Sequence, residues 1–233
     1  MSLIINNELK LIFIHVPKNA GGFIRKTLLN NYNFEIYDIL DELSDDNKRI
    51  KKCINIIEFG YTWLINTKLQ NYDVFCVIRN PYERFISGYL YIKTYREDIF
   101  TIKDLILNKD NLKNGIFKNT LVDLDTYCHI FITQSHFING LPNLCILNYD
   151  NLNYNLCNFL LKKGITTIQH ENIILNSSLY EKNGFWEYID SFSLNFINTF
   201  FYDDFNKFGF EIFKNIFDFY YFMNKKYISY KIY

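Results

Sequence analysis

Phe13-Ile14-His15-Val16-Pro17-Lys18-Asn19-Ala20-Gly21-Gly22-Phe23-Ile24 decides the fold. It begins inside the apolar run Lys10 to Val16, which Pro17 and a glycine pair bound, and a short run of this kind reads as a buried parallel strand. From Gly22 onward Phe23, Ile24, Leu28 and Leu29 recur at helical spacing until Asn30-Asn31. The small-residue stretch between them is therefore a strand-to-helix turn. Glycines let the backbone approach an anion, the helix N-terminus offers unpaired N–H groups, and Lys18 adds a point charge. This is not a Walker A loop, because Lys18 precedes the glycines and no Lys-Ser/Thr pair follows them.

Working outward, Cys53 to Phe59 and Tyr72 to Ile78 read as further buried strands, the second ending at Arg79-Asn80-Pro81, where Pro81 can open a helix. Leu144 to Tyr149 reads as a fourth strand, followed by a helix over Asp150 to Leu161 with Leu152, Leu156, Phe159 and Leu160 on one face. Strands alternating with helices predict a parallel central sheet with helices on both faces, and ligands beyond the carboxyl ends of its strands. The C-terminal third, from Trp186, is expected to be helical and aromatic, with Phe213, Ile216, Phe217 and Tyr220 as a packing face. Arg79 leaves the strand tip where a ligand would lie, and Ser87 falls two turns into the next helix. Anion sites at two strand ends point to a nucleoside carrying a phosphate at each end.

Composition sets the outer limits. In 233 residues, 25 Lys+Arg balance 25 Asp+Glu and 49% are hydrophobic, which suits one globular domain over 1–233 and gives no broad basic footprint for nucleic acid or an anionic membrane. A chain of this length buries about three quarters of its unfolded surface, enough for a core without metals or disulfides. The five cysteines, Cys53, Cys76, Cys128, Cys145 and Cys157, never pair as C-x-x-C, so no zinc site or disulfide framework is expected and a reducing compartment is. Met1 to Lys10 lacks a leader pattern and no apolar stretch reaches about 18 residues, so the expectation is a soluble, cytoplasmic protein without membrane attachment. Asn is abundant while Ala20 is the only alanine, which AT-rich coding explains, and the 19% aromatic content is read as core filler.

With both motifs in view, the chain resembles the sulfotransferases that use 3′-phosphoadenosine-5′-phosphosulfate (PAPS), and among them the carbohydrate branch. Residues 13 to 21 look like that family's 5′-phosphosulfate loop, and Val77 to Tyr89 like its 3′-phosphate motif. Weaker similarities at Thr133–Phe137, Leu147–Leu152, Leu175–Ser178 and Phe201–Phe210 extend over most of the chain. The resemblance implies a three-layer, P-loop nucleotide-binding-like α/β fold. It also implies sulfuryl transfer from PAPS to a hydroxyl or amine of a glycan-type acceptor, with 3′-phosphoadenosine-5′-phosphate (PAP) as product and no metal. Lys18 would meet the 5′-phosphate and the bridging oxygen, with Asn19, Ala20, Gly21, Gly22 and Phe23 forming the loop around it. Arg79 and Ser87 would hold the 3′-phosphate, and Asn176 and Ser177 would belong to a loop over the nucleotide.

Two departures stand out. Gly22-Phe23 replaces the family's hydroxyl residues after the second glycine of the loop, and Tyr61 stands where the resemblance places a histidine base. Glu58 is then the first candidate base and His15 the second, with Tyr61 itself a third; His129, His136 and His170 rank below. The alternative reading is a catalytically degenerate member that binds nucleotide or serves as a scaffold.

Overall fold

The computed structural model describes residues 3–37, 45–62, 69–94, 101–117, 120–121, 124–165 and 185–229. In chain order it begins with β1 (Leu3–Asn6), β2 (Leu11–Ile14), α1 (Gly21–Asn31), β3 (Glu35–Tyr37), α2 (Asp45–Phe59), β4 (Asp73–Ile78) and α3 (Pro81–Lys93). Next come α4 (Ile102–Leu107), α5 (Lys109–Lys113), β5 (Ile116–Phe117), β6 (Thr120–Leu121), α6 (Leu124–Ile130), α7 (Gln134–Ile138), β7 (Leu144–Asn148) and α8 (Leu152–Lys162). A 3-10 turn at Phe185–Tyr188 precedes α9 (Ser191–Phe200), α10 (Tyr202–Phe208) and α11 (Ile216–Ser229). Among the described residues no helix is long and apolar enough to cross a membrane. The chain divides into two compact units: Met1–Arg79 with Gln134–Asn176, and Asn80–Thr133 with Ser177–Tyr233.

The first unit is built on a five-stranded sheet in the order β3-β1-β2-β4-β7. β2, β4 and β7 run parallel, whereas β1 pairs antiparallel with both β2 and β3. The sheet is thus mixed, which corrects the expectation of a parallel one. β1 follows a hairpin geometry that four residues do not announce, and β3 is a three-residue edge whose Ile36 is exposed. Phe13, Phe75 and Val77 pack with Ile24 and Leu28 of α1 and with Leu152, Leu156 and Phe159 of α8 in one core. The alternate residues Ile12, Ile14, Val74 and Cys76 are buried as well, which is why these strands read as continuous apolar runs.

Cys53 to Phe59 is not a strand but the last turns of α2. Burial has a helical period: Cys53 and Ile56 are buried while Ile54 and Phe59 are exposed. An apolar run of this length fits either element, and the polar turns upstream of it decide for helix.

The second unit forms around α3, buried along 81 to 90. Asn80 caps it, its side chain accepting from the Tyr82 N–H at 3.0 Å, and Pro81 occupies the first turn as the sequence led one to expect. Tyr82 stacks among Phe205, Phe213 and Phe219, and Phe85 among Phe131, Phe196 and Phe201, so the aromatic content here is core. The C-terminal third is helical, but the expected packing face is shifted. Phe213 lies before α11 and is buried, Phe217 is 79% exposed, and among the described residues of the helix Phe219 and Met223 are buried.

Candidate active site

β2 ends at Ile14, and the chain then turns through Pro17 and Lys18, where Asn19 N–H donates to the Val16 carbonyl at 3.4 Å. Pro17 followed by Lys18 at φ +69° is the pattern of a type II turn, whose third position favours glycine. Ala20, at φ +60°, is the N-cap of α1. Two non-glycine residues in the left-handed region within three positions cost on the order of 1–2 kcal/mol each, a strain that clusters at functional loops. Ala20 offers no side-chain cap and the first turn of α1 has no acidic residue, so nothing within the first turn offsets the positive end of the helix dipole at Gly21, Gly22 and Phe23.

Gly21 is demanded by its neighbour. A Cβ there would sit 1.8 Å from Cδ2 of His15, whose ring lies against the Gly21 backbone and stacks on Phe13. At Gly22 a Cβ would meet nothing within 4 Å, so the missing hydroxyl is not excluded by space. Phe23 is half-buried, its ring packed against the core below the loop.

Asn19 is buried and ties this loop to the sheet. Its Nδ2 donates to the Val77 carbonyl and to Oε1 of Gln134, both at 2.7 Å, and its Oδ1 is buried without a protein partner. Arg79, directly after β4, donates its main-chain N–H to the same Oε1 at 2.9 Å and accepts from Gln134 Nε2 at 2.8 Å. Its guanidinium lies 4.1 Å over the Tyr149 ring, and Nη1 donates to the Lys18 carbonyl at 3.4 Å. The structure therefore brings together Lys18, Asn19, Ala20, Gly21, Gly22, His15 and Arg79 at the carboxyl ends of β2 and β4.

The other predicted residues are described element by element. Ser87 is buried on α3 and belongs to the second unit. Glu58 is exposed in the last turn of α2, not at a strand tip. Tyr61 is buried, its ring 6.1 Å from that of Phe137 and its N–H donating to the Phe137 carbonyl at 3.1 Å. Just before it, Gly60 has φ +59°, and a Cβ there would come 2.1 Å from the His136 carbonyl oxygen. His136 Nε2 lies 2.9 Å from the Ile56 carbonyl, one of the last of α2, so this ring caps a helix. His129 stacks on Tyr91 in the second unit. Asn176, Ser177 and His170 lie outside the described residues, as does the Leu175–Ser178 similarity.

Glu83 and Arg84, inside the second motif, are fully buried in the second unit. Glu83 pairs with Lys226 of α11 at 2.7 Å. Burial pushes the Arg84 guanidinium down to about 10, against the opposing pull of the Asp204 carboxylate, so it stays charged at neutral pH. Glu83 thus meets Lys226, and Arg84 the field of Asp204, within the second unit.

A family model described as the sulfotransferase family matches residues 1–211. The chain belongs to the sulfotransferase family. No curated protein and no solved structure matches it. The match spans both motifs and ends before α11, so Lys226, which pairs with Glu83, lies in a helix of this sulfotransferase beyond the matched residues. Among the described residues no group of three or more His, Cys, Asp or Glu is placed to hold a metal ion. Two residues of the site went unassigned in the sequence: Gln134 and Tyr149, which hold Arg79. Both lie in the weaker stretches of similarity, Thr133–Phe137 and Leu147–Leu152, which carried no assigned role.

Proposed function

We propose that this sulfotransferase takes its sulfuryl group from PAPS and passes it to a hydroxyl or amine of a carbohydrate-type acceptor, residues 1–233 working as one sulfotransferase-like domain of the P-loop-like, three-layer class. The observation that carries the reading is the Arg79 guanidinium tied to the backbone of the Lys18 loop at a helix N-terminus without a side-chain cap: Arg79 donates to the carbonyl of Lys18, and that loop opens directly into α1. That arrangement fits a ligand with a phosphate on each side of a nucleoside. PAPS supplies the activated sulfuryl group, and PAP leaves.

The residues divide the work by position. Lys18 and the N–H groups of Gly21, Gly22 and Phe23 take the 5′ side, and Lys18 neutralises charge growing on the bridging oxygen. Arg79 takes the 3′-phosphate, the role that the family resemblance gives to Ser87 as well. The acceptor's proton passes to a base as its oxygen or nitrogen bonds sulfur, and Glu58 and His15 are the candidates. Tyr61, buried against Phe137, serves the packing of the α2 end better than proton transfer.

A second reading, a nucleotide-binding scaffold without catalysis, draws on two facts: Tyr61 is buried where a histidine base is expected, and no hydroxyl follows Gly21. Transfer of ³⁵S from labelled PAPS to a mixed glycan panel separates the two. The reading predicts transfer by the wild type and a loss of about a hundredfold or more in Lys18→Ala. PAP binding without any transfer would select the scaffold, and transfer that persists in Lys18→Ala would remove the role given to Lys18.

A further inference from the structure

Three bonds of the buried Gln134 side chain converge on the anion site. It is fully buried, and its Oε1 accepts from both the Arg79 N–H and the Asn19 amide while its Nε2 donates to the Arg79 carbonyl. β4 ends at Ile78, whose ladder partner is Asn148, so the main chain of Arg79 lies one residue past the β4–β7 pairing. The Gln134 amide takes the place of a neighbouring strand there, engaging both the N–H and the C=O of Arg79. On its other side it holds Asn19, one residue after Lys18, so the loop and the β4 tip share one oxygen atom.

The brace is itself anchored. Gln134 is the first residue of α7, and α7 is docked on α2 through His136 Nε2 against the Ile56 carbonyl, Tyr61 N–H on the Phe137 carbonyl, and the close approach at Gly60. A side chain held from behind and bonded at three points transmits a fixed geometry to both partners.

We propose that Gln134 is a positioning residue that presets the spacing between the Lys18 loop and Arg79, and so makes the site favour ligands carrying two phosphates over those carrying one. This rests on the reading of the site as a bisphosphate nucleotide site. With the spacing preset, a ligand that has engaged one centre meets the second already ordered; without it, the second contact must also order the loop and the Arg79 backbone, a penalty of about tenfold in affinity. A ligand with a single phosphate uses only one centre and is nearly indifferent to the brace.

Calorimetric binding of PAP, 5′-AMP and 3′-AMP to wild type and Gln134→Met, together with amide hydrogen exchange of the ligand-free proteins, tests this. Met keeps the length and burial but offers no hydrogen bond. The expected result is about a tenfold or greater loss for PAP, less than threefold for each monophosphate, and lost protection at the Arg79 amide while Phe75 and Val77 keep theirs. An equal loss for all three ligands would reduce Gln134 to packing, and an unchanged PAP affinity would overturn the proposal outright. Should the Met variant fail to fold, Gln134→Glu, which cannot donate to the Arg79 carbonyl when ionised, carries the same comparison. If the wild type itself fails to prefer PAP, the bisphosphate reading falls and the preference claim with it. The exchange data still judge the brace, since an Arg79 amide as protected in the variant as in the wild type refutes it.

Discussion

Adding one methyl group at Gly21 puts the account of the loop under direct strain. The new Cβ would stand 1.8 Å from Cδ2 and 2.0 Å from Nε2 of His15, so the imidazole must retreat by about 1.7 Å to reach ordinary carbon contact. It cannot do so freely, because the ring stacks on Phe13 and Phe13 packs on Phe75 in the core of the sheet. Either the ring leaves Phe13 or the first turn of α1 moves, and overpacking of this kind costs about 1–3 kcal/mol. For a chain of this length that is a fall in Tm of about 2–12 °C, read by circular dichroism. The double variant His15→Ala with Gly21→Ala removes the colliding ring, so most of the Gly21→Ala loss should vanish on the His15→Ala background. A Gly21→Ala protein with wild-type Tm, or one whose penalty is the same with and without the His15 ring, would refute the packing argument.

Two other perturbations probe the second unit. Lys226→Met should take a charged partner from the buried Glu83 carboxylate and cost about 3 kcal/mol, with most of the loss recovered in the double variant Lys226→Met with Glu83→Gln; a Lys226→Met protein unfolding at the wild-type urea midpoint would show that the pair contributes nothing. Tyr82→Phe should cost about 1–3 kcal/mol at neutral pH, because the hydroxyl accepts from the buried Phe213 N–H at 3.0 Å and donates to Asn198. Burial pushes the Tyr82 hydroxyl up to about 12, with the Phe213 N–H pulling it back down. A raised folded-state value means stability that is whole below pH 10, where the unfolded tyrosine titrates, and is lost as pH climbs from 10 through about 12. The gap between wild type and Tyr82→Phe should therefore narrow over that window, and a gap constant from pH 7 to 12 would contradict the assignment.

How far the sequence could be read followed from what each segment buries. β2, β4 and β7 were readable because, at least for β2 and β4, both faces are covered and the run is apolar throughout; the turn at Pro17 and the start of α1 followed from proline and glycine chemistry. α2 was misread because Cys53 to Ile57 is short and rich in β-branched residues, and only the burial of Cys53 and Ile56 with Ile54 exposed between them tells helix from strand. β1 and β3 are too short to show a period, and their antiparallel pairing depends on partners that no local pattern names. Lys18 and Arg79 were legible as charges at strand ends. Gln134 was not, since its meaning lies in bonds to a backbone 55 residues away, and the Thr133–Phe137 similarity around it names no role. The roles of Glu83 and Arg84 show only in the burial that sets them against Lys226 and Asp204.

The most direct test of two cooperating anion sites is a thermal shift of the purified protein with PAP, against 5′-AMP and ADP at matched concentrations. PAP at about 100 times its Kd should add roughly 2.7 kcal/mol, a rise of several degrees for a chain of this length, while the two controls shift it little. No shift with PAP, or the same shift with all three nucleotides, would contradict the claim that the Lys18 loop and Arg79 form one bisphosphate site.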